Sequence, residues 1–208
     1  RGASDVEKAH YLDYFHGKLY ASPYGSYIAE TGWVWAPAGI SRIWSSSEWL
    51  TNVWTTEDGT SLDSVWQPLV DWDLPMAWLN DELLAIWGQL DEDLLEKEDW
   101  GPEGTQATIM IYNAKLRTRH GIIPNIPDFA SSPPMPPGFF DDEAQLAVST
   151  VGKLFAWGKS IPIHVCDLST QQLEYKHSDQ NVQPDLYHTE ADLFLKIGSG
   201  CIQAWRYE

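Results

Sequence analysis

Positive charge is scarce in this chain. Its 208 residues hold 13 Lys and Arg against 30 Asp and Glu, a formal net charge of −17. An acidic surface repels phosphate, so direct binding to nucleic acid is not expected. The same repulsion disfavours an anionic membrane surface. Cysteine is nearly missing as well, with Cys166 and Cys201 alone. Chains that rely on oxidative stapling usually carry more. Both are therefore expected as reduced core thiols in a cytoplasmic setting, with a single disulfide between neighbouring strands as the alternative. No run of eighteen apolar residues occurs, so no membrane-spanning helix is expected. The chain begins at Arg1 and lacks the basic, apolar and small-residue succession of a signal peptide. Its start reads as a processed or artificial boundary, with a longer natural protein as one expectation.

Several chemistries lack their residues. The six histidines (His10, His16, His120, His164, His177, His188) show no His-x-x-x-His spacing, and no Cys-x-x-Cys occurs. His164 and Cys166 would share one face of a strand, where a buried thiol beside a structural His is expected. Asp91-Glu92-Asp93 lacks the glycine turn and later Glu of a calcium loop. There is no Gly-x-Ser-x-Gly elbow, and neither a Gly-x-x-x-x-Gly-Lys loop nor a Gly-x-Gly-x-x-Gly fingerprint. No metal and no cofactor are expected.

Tryptophan is what the chain has in excess. Ten of its twelve fall between Trp33 and Trp100. Bulky indoles used so densely either fill wide gaps between layers or present flat faces to a ligand. The apolar share of 43% is ample for a core. Residues 1–17 read as a helical or irregular lead-in, and residues 18–208 as one β domain. Leu19 to Ala29 reads as strand, turn, strand, with Pro23 and Gly25 in the turn. Ile40 to Ser45 alternates apolar and polar residues as a half-buried strand does. Residues 46–75 are less regular and read as an ordered insertion or as an unrecognised portion of a repeat unit. Met76 to Gly88 reads as a hairpin turning at Asn80-Asp81. Further strands are expected at 108–113, 144–149, 153–157, 161–167, 192–197 and 201–205. The proline-rich stretch 124–138 reads as a stiff connector.

Four strand ends repeat one pattern, an apolar or small residue, then Trp, Tyr or Cys, then a polar residue. They are Arg42-Ile43-Trp44-Ser45, Met110-Ile111-Tyr112-Asn113, His164-Val165-Cys166-Asp167 and Gln203-Ala204-Trp205-Arg206. Three follow a strand that ends at a glycine, Gly88, Gly158 or Gly198. The pattern resembles WD40-like β-propeller repeats. The nearest segment runs from His164 to Leu173, with Cys166 where that family has Trp and Gln171 where it has Gly. The Gly-His signature of WD40 units is absent. Tyr27 to Trp35 and Trp78 to Gly88 are also similar to uncharacterised bacterial proteins of propeller-like sequence. The resemblance implies an all-β, propeller-like array of small antiparallel sheets, whole or part of a longer ring, and brings no activity with it. A β-sandwich is the structural alternative.

Charge is unevenly placed. Residues 1–104 carry 19 acids and 5 bases, whereas residues 105–208 carry 11 and 8. The expected function is therefore non-enzymatic binding of a protein partner, basic in charge, that such a surface would steer in. Asp91, Glu92, Asp93, Glu96, Glu98 and Asp99 would form the steering surface, with Trp100 as anchor. One form of this is an immunity-type inhibitor covering the basic cleft of a toxin. The alternative is a carbohydrate-binding or glycoside-cleaving protein. There Asp71 and Asp73, which flank Trp72, would supply paired carboxylates near Trp54 and Trp66.

Overall fold

Short antiparallel strands make up nearly every regular element of the computed structural model, which describes residues 14–34, 38–66, 73–89, 107–124, 126, 144–159, 161–176 and 183–207. The first sheet holds β1 (Tyr14–Phe15), β2 (Tyr20–Ala21), β3 (Tyr27–Val34), β4 (Ala38–Ser45) and β5 (Asp63–Trp66). Its order is β1-β3-β4-β5, with β2 also paired to β3. The second runs β6 (Met76–Trp78), β7 (Leu83–Gln89), β8 (Ala107–Asn113), β9 (Thr118–Ile123). The third runs β10 (Gln145–Val148), β11 (Lys153–Trp157), β12 (His164–Asp167), β13 (Gln172–Lys176). The fourth runs β14 (Leu186–His188), β15 (Leu193–Gly198), β16 (Cys201–Trp205). The fold is all-β, as the sequence predicts. All four repeated segments fall on the third strand along their sheets, β4, β8, β12 and β16.

The sheets stack in chain order through three cores. Ala29, Ile43 and Trp66 of the first meet Leu84, Ile86, Met110 and Tyr112 of the second. Ala85, Trp87, Ile109 and Ile111, on the second sheet's other face, meet Leu154, Ala156 and Cys166 of the third. Phe155, Trp157 and Val165 then meet Phe194, Tyr187 and Trp205 of the fourth. Successive strand residues point to opposite faces, so a sheet sandwiched on both sides needs apolar residues at consecutive positions. That is why Ala107–Asn113 is buried at every residue and why Leu84–Trp87 and Leu154–Trp157 are continuous buried runs. Indoles are the spacers between layers. Trp66, Trp87 and Trp157 are almost wholly buried. Trp78 ties the first two sheets by donating its N–H to the Tyr20 carbonyl at 2.9 Å and stacking on Tyr27.

Two expectations are corrected, at Tyr14–Phe15 and at Cys201. Tyr14 and Phe15, expected within the lead-in, are a strand that pairs with Val34 and Trp33. Residues 46–66 are ordered, with two single-turn helices, α1 (Ser46–Trp49) and α2 (Thr55–Asp58), ahead of β5. This excursion covers the far face of the first sheet. Trp44 there is wholly buried with its ring edge-on to Trp49, and Arg42 donates to the Thr56 carbonyl at 3.1 Å. Both cysteines are free thiols, but only Cys166 is buried. Burial pushes its thiol pKa up to about 12. Cys201 is exposed, because it opens β16 beside the turn that precedes it.

Glu48 of α1 fastens the excursion. Its carboxylate accepts the backbone N–H groups of Thr60 at 2.9 Å and Ser61 at 2.8 Å, together with both hydroxyls. The Ser61 bonds, above all, lower its pKa from 4.5 to about 2. A carboxylate depressed in the folded state stabilises above its unfolded value and loses that contribution as pH falls through the folded one. Glu48→Gln is therefore expected to lower the melting temperature at pH 7 and to flatten its decline between pH 4.5 and 2. Melts that give superimposable pH profiles for the two proteins would contradict this.

Candidate binding cleft

The edge of β3 is shared by two short strands with a gap between them. β1 pairs with Trp33 and Val34, and β2 pairs with Ile28 and Ala29. Residues 16–19 cross the gap opposite Glu30, Thr31 and Gly32. Asp73 fills it from the chain leading into the second sheet. Its backbone N–H donates to the Thr31 carbonyl at 3.1 Å, and its Oδ1 accepts the Lys18 N–H at 2.8 Å. Asp73 adopts a left-handed backbone (φ 56°), a conformation that Asp tolerates better than most residues.

Glu30 organises the other side of the gap. Its side chain is wholly buried. Its carboxylate accepts His16 Nδ1–H at 2.8 Å and the Gly17 N–H at 3.1 Å. A neutral His16 that donates through Nδ1 leaves Nε2 as an acceptor on the half-exposed ring. Arg42 stands directly across from Glu30 in the β3–β4 register. Its guanidinium lies 3.9 Å from the centre of the Tyr14 ring. The His16 and Gly17 bonds are what make a buried carboxylate tolerable here. Burial first, and the Glu30 charge second, push the Tyr14 hydroxyl pKa well above its usual value.

These groups back an open cleft of about 310 Å³ lined by Phe15, His16, Gly17, Gly32, Trp33 and Asp73. Phe15 and Trp33 pack with ring centres 4.8 Å apart, and Phe15 is 51% exposed. Glu30 is wholly buried and held by His16 and Gly17, whereas Asp73 is exposed at the cleft. The Lys18 ammonium, the nearest base in sequence, is turned onto the Tyr20 ring at 5.0 Å. Aromatic faces beside an exposed carboxylate are suited to a cation. Among the described residues, no three His, Cys, Asp or Glu side chains group as a metal site. His164 Nδ1–H donates to the Pro162 carbonyl, 2.6 Å away, while Cys166 packs in the core between the second and third sheets.

No family model and no curated protein matches this chain.

The predicted sites fare unevenly. Asp91, Glu92, Asp93, Glu96, Glu98, Asp99 and Trp100 lie outside the described residues, as do Asp71 and Trp72. Asp73 lines a cleft together with Phe15 and Trp33. Trp66 is only 2% exposed within the first core and presents no face to a ligand. Trp54 precedes α2 in the excursion. Sequence reasoning missed His16, Glu30, Phe15 and Trp33. Their one signal is that β3 carries a lone acid, Glu30, among apolar and small residues. No helix among the described residues is long and apolar enough to cross a membrane.

Proposed function

We propose that the chain is a non-enzymatic binding protein for a basic protein partner, and that a Lys or Arg side chain of the partner enters the cleft. The observation that carries this reading is the exposed Asp73 carboxylate set beside Phe15 and Trp33. The cleft belongs to the half of the chain with 19 acids and 5 bases, so the long-range field favours the same ligand. The sheets act as a rigid frame in the manner of propeller blades. That part of the reading is supported by two-faced burial in the second and third sheets and by the repeat on the third strand of each sheet. An immunity-type inhibitor is one form such a protein takes.

A sugar site is the second reading, favoured by the same Trp33 face. Glycoside cleavage needs two carboxylates facing the scissile bond. Glu30 is a poor second carboxylate, being wholly buried and engaged by His16 and Gly17.

Titration with an Arg- and Lys-containing peptide, followed by tryptophan fluorescence, tests the assignment. Binding should weaken steeply with added salt. Asp73→Asn keeps the acceptor for Lys18 but removes the charge, and Trp33→Ala removes the ring. Each is expected to weaken binding about fivefold, or about 1 kcal/mol. A salt-insensitive response, or saturation by neutral oligosaccharides and not by the peptide, would refute the basic-partner reading.

A further inference from the structure

A second, larger cleft opens where the ends of the first two sheets meet, and it holds about 510 Å³. Small-ligand sites span about 300–1,000 Å³. Loops of both sheets build it, namely the β2–β3 turn, the start of α1, the approach to β5 and the β8–β9 turn. Loops held by a rigid sheet frame are where binding residues concentrate. It shares no residue with the cleft at Asp73.

The walls are mostly polar, and they offer donors and acceptors together. Asp63 Oδ2 accepts the Tyr112 hydroxyl at 2.5 Å, which leaves Oδ1 as an acceptor. Arg117 donates one N–H to the Thr60 carbonyl at 2.7 Å and keeps the other donors of its fork. Ser45 and Ser47 share a single bond of 2.8 Å, so one of their two O–H groups is still a donor. Ser26 and Ser46 give their hydrogens to Asp81 and the Gly25 carbonyl, and present lone pairs alone. An anion would call for donors only, which Asp63 opposes. A cation would call for acceptors only, which Arg117 opposes. A hydroxyl group is donor and acceptor at once, so a ligand carrying several of them matches both sets. Tyr24, which also lines the cleft, is 89% exposed and offers a flat ring to such a ligand.

We infer that this cleft binds a small neutral saccharide, with Arg117 donating to its hydroxyls, Asp63 accepting from them, and Tyr24 packing on the sugar ring. The net charge of −17 does not oppose an uncharged ligand, as it would a sugar acid or a sugar phosphate. The assignment stands whether or not a basic partner occupies the cleft at Asp73.

An array of neutral and acidic glycans, followed by calorimetric titration of the strongest neutral hit, tests it. The expected result is a neutral saccharide bound equally well at low and high salt. Arg117→Gly removes the donor fork at a left-handed backbone position (φ 55°) that glycine adopts without strain. Tyr24→Ala removes the ring at a position too exposed to support the fold. Each is expected to weaken the saccharide about tenfold, with circular dichroism and peptide binding at the Asp73 cleft unchanged. An array with no neutral hit would overturn the inference, as would binding of acidic glycans alone that fades with salt. So would a neutral hit that survives both substitutions together, or one that Trp33→Ala abolishes and Arg117→Gly does not, which would assign the sugar to the other cleft. The peptide titration reads the other cleft separately, so either proposal can fail alone.

Discussion

Trp157→Ala is expected to lower the stability of the folded chain by about 3–5 kcal/mol. The indole is 1% exposed and sits between the third and fourth sheets. It meets Phe194 edge-on at 5.7 Å and donates its N–H to the Pro184 carbonyl at 3.0 Å. Truncation leaves a void that neighbouring rings cannot fill without leaving their own contacts. It also strips the Pro184 carbonyl of a buried donor, and an unsatisfied buried group carries its own cost. Domains are stable by about 5–15 kcal/mol in all, so the loss is a large share. Urea unfolding should show a lowered midpoint, and Trp157→Phe, which keeps a ring but not the donor, should fall between. A loss below about 1 kcal/mol would mean that the indole is not what joins the two sheets.

Gly17→Ala should be nearly as damaging, for a different reason. A Cβ at this position would lie 2.1 Å from the Thr31 carbonyl oxygen and 2.5 Å from Asp73 Oδ1. The first of these is backbone within β3 and cannot swing away. Residues 16–18 would have to lift, breaking the His16 and Gly17 bonds to Glu30 and the Lys18 bond to Asp73 together. Glu30 would be left wholly buried without the groups that now hold it, a loss of about 3 kcal/mol or more. Cation binding should vanish with it, since the cleft is built on that same segment. Gly152→Ala is the control. Its φ is +79° and nothing lies within 4 Å of an added Cβ, so only the cost of a left-handed alanine remains, about 1–2 kcal/mol. Equal melting temperatures for Gly17→Ala and the wild type would show that the crossing segment is not held as described.

The hairpin at Asn80-Asp81 was legible because its turn chemistry is local. Asn80 Oδ1 accepts the N–H groups of Glu82 and Leu83, as such a turn requires. The repeat was legible for a related reason, since β4, β8, β12 and β16 each hold the third place along their sheets. β13 and β14 were not legible as separate strands. Gln172–Lys176 and Leu186–His188 are short and mixed in polarity, and what makes them strands is the partner already in place beside each. Cys201 was misjudged because its residue type favours burial while its position next to a turn does not. The cleft was the least accessible to sequence reasoning. His16 and Glu30 are fourteen residues apart, and Lys18 and Asp73 fifty-five. No spacing rule joins them, for they meet only through a break in strand pairing. Asp73 could be singled out beside aromatics, but not the rings that share its cleft, since Trp66, one of the upstream indoles expected near it, is a core residue.

A molecule layered so that every sheet leans on its neighbours behaves as a linear chain of coupled units. Peeling begins where the last unit has one neighbour instead of two. The helical excursion gives the first sheet a second neighbour, whereas among the described residues no element packs on the outer face of the fourth. Amide exchange should therefore be fastest at β14–β16 and slow progressively toward β7 and β8, a polarity that an even-sided bundle of strands would lack.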